Sequence, residues 1–150
     1  MTDQSPTGVL YVDGASFGNP GPSGTGVVLQ VGDEVIVERS EDAGYGTNNQ
    51  AEYRALLEGL AEAVQRGIRK LLVRSDSQLL VRQMTGEYKL KAKGLRGLKA
   101  EADALLERFD QVRFEHVPRE RNALADELAK AGAEAAKARG VRPPQGEMFE

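Results

Sequence analysis

The order of strand-like and helix-like segments is the feature that most constrains the fold of this chain. Three β-prone segments come first, and helical periodicity then alternates with short apolar runs, which predicts the order βββαβααβα. Neighbouring β-segments can pair antiparallel through short turns, whereas strands separated by a helix pair in parallel. The sequence therefore predicts an α/β fold with a mixed sheet and helices on its faces.

Turn-forming and capping residues bound the predicted elements. Strands are predicted at Val9–Asp13, Thr25–Leu29, Glu34–Arg39, Lys70–Arg74 and Val112–Val117, and helices at Asn49–Arg66, Leu95–Phe109 and Asn122–Lys137, with a further short helix that ends at Met84. Asn48 or Asn49 is expected to cap the first helix, and Ser75-Asp76-Ser77 the short one. Glycines and prolines predict a loop from Gly14 to Gly24, and the pair Gly32-Asp33 predicts a hairpin turn.

Length and composition limit the classes of protein and of site. A chain of 150 residues with 40% hydrophobic and 29% charged residues suits one ordered domain, expected over residues 1–139, followed by a flexible tail over 140–150. Cysteine is absent, which excludes disulfides, thiol catalysis and thiolate metal sites. No apolar run approaches the roughly 18 residues of a membrane span, so a cytoplasmic protein is expected.

Four acidic residues occupy positions that predict a shared site. Asp13 closes an apolar strand, where a carboxylate is costly to bury unless it is paired or binds a cation. Glu52 lies at the start of the long helix, Asp76 follows the fourth strand, and Asp126 lies at the start of the last helix. Strand ends and helix starts meet at one edge of an α/β sheet. Capping and the helix dipole could explain Glu52 or Asp126 alone, but they do not explain Asp13.

Such a cluster predicts hydrolysis of phosphodiesters with divalent cations. Hard cations such as Mg²⁺ prefer carboxylate oxygen, and a pair of ions can activate water and stabilise the leaving oxygen. No histidine, cysteine or serine triad is needed for this chemistry.

Four sequence blocks resemble the signature blocks of type 1 ribonucleases H. They read YVDGASFGNPGPSGTG, TNNQAEYRAL, RSDSQLLV and NALADELA, and the resemblance extends from about Val9 to Lys137. It implies a ribonuclease H-like fold with a five-stranded mixed sheet, in which three antiparallel strands precede the parallel ones and helices cover both faces. It also implies that Asp13, Glu52, Asp76 and Asp126 are catalytic ligands of two magnesium or manganese ions, with Asp13 bridging the two.

The resemblance also implies roles in substrate binding. Asn19, Asn48, Asn49 and Gln78 match positions that approach sugar hydroxyls and bases in the minor groove, and Thr47 matches a phosphate contact on the DNA strand. Recognition of the 2′-hydroxyl is how a protein distinguishes RNA from DNA. The asparagines also suit turns and caps, and the two interpretations are compatible.

The segment before the last helix departs from the pattern of many relatives, which carry a histidine in a flexible loop there. The only histidine, His116, continues the last strand, so we interpret it as structural rather than catalytic. The loop contains Arg119 in VPRERN, which resembles an archaeal-like subgroup of the family. Arginine does not act as a general base, but Arg119 could hold the scissile phosphate or speed departure of the product. Alternatively, it is a solvated loop charge.

Positive charge is concentrated in one segment of an acidic chain. The formal net charge is −3, which argues against a nucleic-acid partner. However, the segment from Tyr88 to Ala100 contains only basic charges, at Lys89, Lys91, Lys93, Arg96 and Lys99. We interpret this basic run as a phosphate-binding surface in place of the basic protrusion of some relatives, with salt-sensitive binding. A solvated helix face is the alternative.

Two further segments resemble known binding motifs in part. The glycine-rich segment Gly14 to Gly26 lacks both nucleotide-binding patterns, so nucleotide binding is rejected. Gln145, Met148 and Phe149 in QGEMF resemble a peptide that binds the bacterial sliding clamp, a pattern that also arises by chance.

These features predict a monomeric endonuclease that cuts the RNA strand of RNA–DNA hybrids and leaves 5′-phosphate and 3′-hydroxyl ends. A non-catalytic hybrid-binding module is disfavoured, because nothing would retain four mutually repelling acids without a metal. A junction resolvase or an integrase-like nuclease is disfavoured by the Asn48-Asn49 pair, by the Asp76-Ser77-Gln78 step and by the absence of additional domains.

Overall fold

The predicted order of strands and helices is observed. The computed structural model describes residues 7–90 and 92–143. Its elements are β1 (Thr7–Ser16), β2 (Gly21–Val31), β3 (Glu34–Gly46), α1 (Asn48–Gln65), β4 (Lys70–Ser75), α2 (Gln78–Met84), α3 (Lys93–Leu106), β5 (Gln111–His116) and α4 (Ala123–Ala138), with a 3-10 turn at Arg119–Asn122 before α4. No helix within the described residues is long and apolar enough to span a membrane.

One mixed sheet of five strands organises the molecule. The strand order is β3-β2-β1-β4-β5. The strands β1, β2 and β3 pair antiparallel, whereas β4 is parallel to both β1 and β5. This arrangement confirms the predicted α/β class, and it brings the carboxyl ends of β1, β4 and β5 to the same edge of the sheet.

The loop predicted from Gly14 to Gly24 is mostly strand. The ladder between β1 and β2 continues from Asp13 opposite Gly26 to Ser16 opposite Ser23, which leaves only residues 17–20 as the connection. Gly24 and the neighbouring Gly26 serve packing rather than a turn. A Cβ atom on Gly24 or Gly26 would overlap the backbone of α4, so the absence of side chains lets this helix lie directly on β2.

Helices cover the two faces of the sheet. α4 packs on β1, β2 and β3, while α1 packs on the opposite face and contacts α3. The core on the α1 side is mainly aliphatic and combines side chains from the sheet and the helices, among them Leu10, Val12, Val27, Leu29, Leu56, Leu60 and Val73. This core fixes where the strand ends and helix starts lie.

The start of α1 differs from the prediction in one detail. Its cap is Thr47, not Asn48 or Asn49: the Thr47 hydroxyl accepts a hydrogen bond from the Gln50 backbone N–H, and the Gln50 side chain accepts one from the Thr47 N–H. This reciprocal capping box satisfies two backbone donors at once, which a lone asparagine cap cannot do. The side chains of Asn48 and Asn49 therefore do not cap the helix.

The last part of the chain is described only as far as Pro143. The clamp-like residues Gln145, Met148 and Phe149 lie outside the described residues, as does most of the predicted tail.

Candidate active site

The four predicted acids come from four elements that meet at one edge of the sheet. Asp13 lies on β1, Glu52 near the start of α1, Asp76 directly after β4, and Asp126 in the first turn of α4. All four line one open cavity of about 500 Å³. The structure thus brings together side chains that are far apart in the sequence.

Three of these carboxylates are close enough to share a cation. One oxygen each from Asp13, Glu52 and Asp76 lies within 4.8 Å of the other two. Asp126 borders the same cavity and interacts electrostatically with Asp13.

Burial makes the negative charge at this cluster costly. Asp13 is 4% exposed and Glu52 is 8% exposed. Burial, followed by repulsion from Asp76 and interactions with Asp126, raises the pKa of Asp13 to about 7, although a hydrogen bond with Glu52 opposes the shift. Burial and the neighbouring Asp13 raise the pKa of Glu52 well above its usual value. The two carboxyl groups therefore need a compensating positive charge in order to remain ionised.

The donor set fits a hard divalent cation. Glu52 Oε2 is buried and has no hydrogen-bond partner within the described residues, so one oxygen at the centre of the cluster is available as a ligand. Every donor atom in the cluster is a carboxylate oxygen, the ligand that Mg²⁺ and Mn²⁺ prefer.

Lys130 is a residue of the cavity that the sequence interpretation missed. Its Nζ lies 3.0 Å from Asp126 Oδ2. Partial burial raises the pKa of Asp126, but the hydrogen bonds with Lys130 and Asp13 and the positive charges of Lys130 and Arg119 lower it below its usual value overall. The spacing of four residues on a predicted helix would have indicated this ion pair.

A second missed residue fixes the start of α4. Asn122 is 1% exposed, and its Nδ2 donates to the backbone carbonyl of Val12, 3.0 Å away. This bond joins the start of α4 to the strand position directly before Asp13. It therefore helps to hold Asp126 opposite Asp13. A buried amide inside a polar stretch gives no distinct sequence signal.

Polar side chains form the rim of the cavity beside α1. The Asn48 N–H donates to Asn19 Oδ1 at 2.9 Å, and the Ser16 hydroxyl donates to Asn48 Oδ1 at 2.8 Å. Ser16, Asn48 and Asn49 line the cavity. These contacts hold the connection between β1 and β2 against the start of α1, which agrees with the interpretation of Asn19 as a turn residue and leaves the Asn49 amide available to a ligand.

The remaining substrate-binding candidates lie on neighbouring elements. Gln78 is the first residue of α2, whose cap is Ser77 as predicted. Lys89 is exposed after α2, and Lys91 lies outside the described residues. In the basic run, Lys99 is not free of acidic neighbours, because its Nζ lies 2.9 Å from Asp103 Oδ2 one turn further along α3.

His116 and Arg119 both border the cavity. His116 ends β5, and its Nε2 lies 3.3 Å from the backbone carbonyl oxygen of Asp76. This contact joins β5 to the segment after β4 and is compatible with a structural role. The Arg119 side chain is 75% exposed, and its Nε lies 3.8 Å from Asp76 Oδ2. Its guanidinium is therefore available to an anion that enters the cavity.

Comparison with known protein sequences identifies relatives of this chain. A family model described as reverse transcriptase-like matches residues 11–132. The chain is 44% identical to ribonuclease HI of Halobacterium salinarum over 120 residues, which cover 79% of this chain and 60% of that protein. It is also 44% identical over 130 residues to a bifunctional protein of Mycobacterium tuberculosis, which cover 85% of this chain and 36% of that protein. The chain thus spans about a third of one relative and 60% of the other.

Solved structures share both fold and sequence with this chain. The N-terminal RNase H domain of the Mycobacterium tuberculosis protein superposes with a TM-score of 0.88 at 42% identity, covering 91% of this chain and 100% of that one. LC11-RNase H1 in complex with an RNA/DNA hybrid superposes with a TM-score of 0.82 at 39% identity, covering 87% of this chain and 99% of that one.

Proposed function

Because this chain belongs to the type 1 ribonuclease H family, we propose that it is an endonuclease that hydrolyses the RNA strand of RNA–DNA hybrids. The observation that carries the proposal is the cluster of Asp13, Glu52 and Asp76 carboxylates at the edge of the sheet, with Asp126 beside it. A non-catalytic binding module would gain nothing from buried acids that repel one another. The hybrid bound to LC11-RNase H1 supports the choice of substrate.

Asp13, Glu52, Asp76 and Asp126 would hold two magnesium or manganese ions. When bound, such ions activate water and stabilise the leaving oxygen in phosphodiester hydrolysis. The chain itself supplies the positions of the ligands. The ladder of β1 fixes Asp13, the capping box at Thr47 fixes the start of α1, and the bond from Asn122 fixes the start of α4. Rigid supports of this kind are what a catalytic cluster requires.

Two cationic side chains, Arg119 and Lys130, lie beside the carboxylates and would have different roles. Arg119 would contact a non-bridging oxygen of the scissile phosphate with its exposed guanidinium, and it keeps its charge throughout because it does not deprotonate. Lys130 would neutralise Asp126 while the site is empty of substrate. Loss of Arg119 should therefore slow cleavage without abolishing it.

The polar rim, together with Gln78 at the start of α2, would bind the sugar of the RNA strand. A 2′-hydroxyl both donates and accepts hydrogen bonds, and the amides of Asn19, Asn48, Asn49 and Gln78 offer both kinds of partner. Thr47 would contact a phosphate of the DNA strand, and the exposed Lys89, together with Lys91, would add salt-sensitive attraction to the backbone. We further propose that cleavage leaves 5′-phosphate and 3′-hydroxyl ends.

The test is cleavage of an end-labelled RNA–DNA hybrid in Mg²⁺ or Mn²⁺, with double-stranded DNA, double-stranded RNA and a four-way junction as controls. Wild type should cut only the RNA strand of the hybrid, and Asp13→Asn should cut nothing. Asp110→Asn is the matched control, since Asp110 is exposed, pairs with Arg69 and precedes β5 at the opposite edge of the sheet. Binding of the hybrid without cleavage in either metal would favour the non-catalytic module, and cleavage of the junction would favour a resolvase.

We also propose that the protein is a cytoplasmic monomer. Light scattering tests the mass in solution, and cell fractionation tests the location. Deletion of 144–150 tests the clamp-like peptide, because binding to a sliding clamp should then be lost while cleavage of the hybrid is retained.

A further inference from the structure

An exposed aromatic ring next to the polar rim carries a lysine on its face. Phe17 follows Ser16 in the connection between β1 and β2 and is 37% exposed. Lys137 Nζ lies 4.5 Å from the centroid of the Phe17 ring. A cation at this distance is attracted by the ring, which limits the conformations that a flexible lysine samples. The ammonium group is thus held in place at the surface.

Lys137 lies on the same side of α4 as Asp126, the acid that this helix contributes to the cavity. Relative to Asp126, an α-helix rotates Lys130 by about 40° and Lys137 by about 20°, so the three side chains form one row. The row is continuous with the cavity, because Lys130 lines it and contacts Asp126. The axial distance from Asp126 to Lys137 is about 16 Å.

The neighbouring strand forms a parallel row. Side chains alternate between the two faces of a strand, so Asp13 and Ala15 share a face, and Phe17 continues this row beyond the end of the strand. Asp13 pairs with Gly26 and Ala15 pairs with Gly24, the two glycines on which α4 rests. The rows on β1 and α4 therefore run side by side from the carboxylates to the contact between Phe17 and Lys137.

Among the described residues, no acid pairs with Lys137. Within residues 7–90 and 92–143, no ion pair involves Lys137. The next cation along the helix differs, because Arg139 forms two hydrogen bonds to the carboxylate of Asp42, at 2.6 and 3.0 Å. Lys137 is thus a cation that is positioned by a ring and available to an external anion.

We infer that Lys137, positioned by Phe17, binds a backbone phosphate of the strand that is cut, at a distance from the cleavage site. This inference rests on the proposed function, because the carboxylate cluster defines where the cut strand enters. At the roughly 3.4 Å per nucleotide of a B-form DNA strand, the row of about 16 Å corresponds to about five nucleotides. The contact extends the interface along α4, on the side away from the basic run of α3.

The first experiment measures binding of a short labelled hybrid at several salt concentrations. All proteins carry Asp13→Asn so that the hybrid stays intact in Mg²⁺. Lys137→Gln should weaken binding about 5-fold and reduce the slope of log affinity against log salt by about one. Arg69→Gln is the matched control, because it removes one exposed cation at the amino end of β4, far from the cavity. Its salt slope should equal that of the parent protein.

The second experiment separates positioning by Phe17 from direct contact by Lys137. Phe17→Leu should weaken binding about 2-fold, and in combination with Lys137→Gln it should add almost nothing, because the ring acts through the lysine. A single neutral methylphosphonate, moved along the RNA strand and then along the DNA strand, locates the phosphate. One RNA position within about five nucleotides of the cut should weaken the parent protein but not the Lys137→Gln variant.

Three results would overturn the inference. Equal salt slopes for Lys137→Gln and Arg69→Gln would show that Lys137 contacts no phosphate. If the position that weakens the parent protein but not the Lys137→Gln variant lies on the DNA strand, the assignment to the cut strand is wrong. If wild type does not cut the RNA strand of the hybrid, the proposed function fails and the inference fails with it, whereas the first two results leave the function intact.

Discussion

Replacing Asp13 with asparagine should stabilise the metal-free protein and, at the same time, remove its stabilisation by divalent cations. Asp13 is buried beside two further carboxylates, and its nearest charged neighbours are negative. Asparagine has nearly the same shape but no charge. The substitution therefore removes repulsion and the cost of burying an anion while it leaves the packing of β1 intact.

The magnitude follows from the pKa of Asp13. In the folded protein the pKa rises from 3.8 to about 7. A difference of about 3 units at about 1.4 kcal/mol each corresponds to an upper value of about 4 kcal/mol. Asparagine keeps a buried polar group that needs hydrogen bonds, so we expect a net gain of roughly 1–3 kcal/mol.

The stability gained by Asp13→Asn should increase as the pH rises. Because the folded pKa lies above the unfolded one, the unfolded chain loses its proton first as the pH rises. The stability associated with protonated Asp13 is fully present below pH 3.8 and is lost between that pH and about 7. Wild type and variant should therefore be similar in stability near the low end of this range and differ most at neutral pH.

Chemical denaturation with a chelator, repeated across this pH range and then in Mg²⁺, measures these differences. Mg²⁺ should raise the free energy of unfolding of wild type and leave that of Asp13→Asn almost unchanged. Asp110→Asn, at an exposed ion pair, should change stability by less than about 0.5 kcal/mol under every condition. If Asp13→Asn is less stable than wild type at neutral pH without metal, the electrostatic reasoning is wrong.

Three other substitutions, with Gly97→Ala as a control, test the site and its supports. Gly24→Ala should destabilise the protein by roughly 2–4 kcal/mol in denaturation, because the new methyl group overlaps the backbone of α4; Gly97→Ala, an open helical position, should instead stabilise it by roughly 0.5–1 kcal/mol. Asn122→Ala should cost roughly 1–3 kcal/mol and weaken Mg²⁺ binding in calorimetry, and unchanged Mg²⁺ affinity would refute its positioning role. Arg119→Ala should lower the cleavage rate about 10-fold or more with an unchanged melting temperature, and an unchanged rate would make Arg119 a solvated loop charge.

The fold could be predicted from the sequence wherever periodicity and composition agree. Helical spacing located α1 and α4 to within about two residues, and the Gly32-Asp33 turn was placed correctly. In the segment Gly14 to Gly24 the glycines and the prolines predict a loop, because these residues usually break strands. There the requirement for α4 to lie directly on β2 prevails over local propensity, and that requirement involves residues about a hundred positions apart.

The residues of the site also fall into those that the sequence predicts and those that only the structure shows. Asp13 could be identified from the sequence, because an acid in an apolar strand conflicts with the burial of its neighbours. The ion pair between Asp126 and Lys130 was also encoded locally, at a helical spacing of four residues. By contrast, the bond from Asn122 to the strand and the contact between Phe17 and Lys137 join distant segments. Such contacts depend on tertiary packing, and a single sequence carries no signal for them.

The same contrast explains why the acids are more visible than their supports. Asp13 and Glu52 both lower the stability of the metal-free fold. For Asp13, which closes an apolar strand, this conflict is visible in the sequence itself. Asn122 and Gly24 stabilise the fold around them, and residues that agree with their surroundings resemble ordinary polar or flexible positions. Catalytic groups should therefore be detected first, because they destabilise the metal-free fold and conflict with their sequence context. The residues that position them are detected only from contacts in the folded structure.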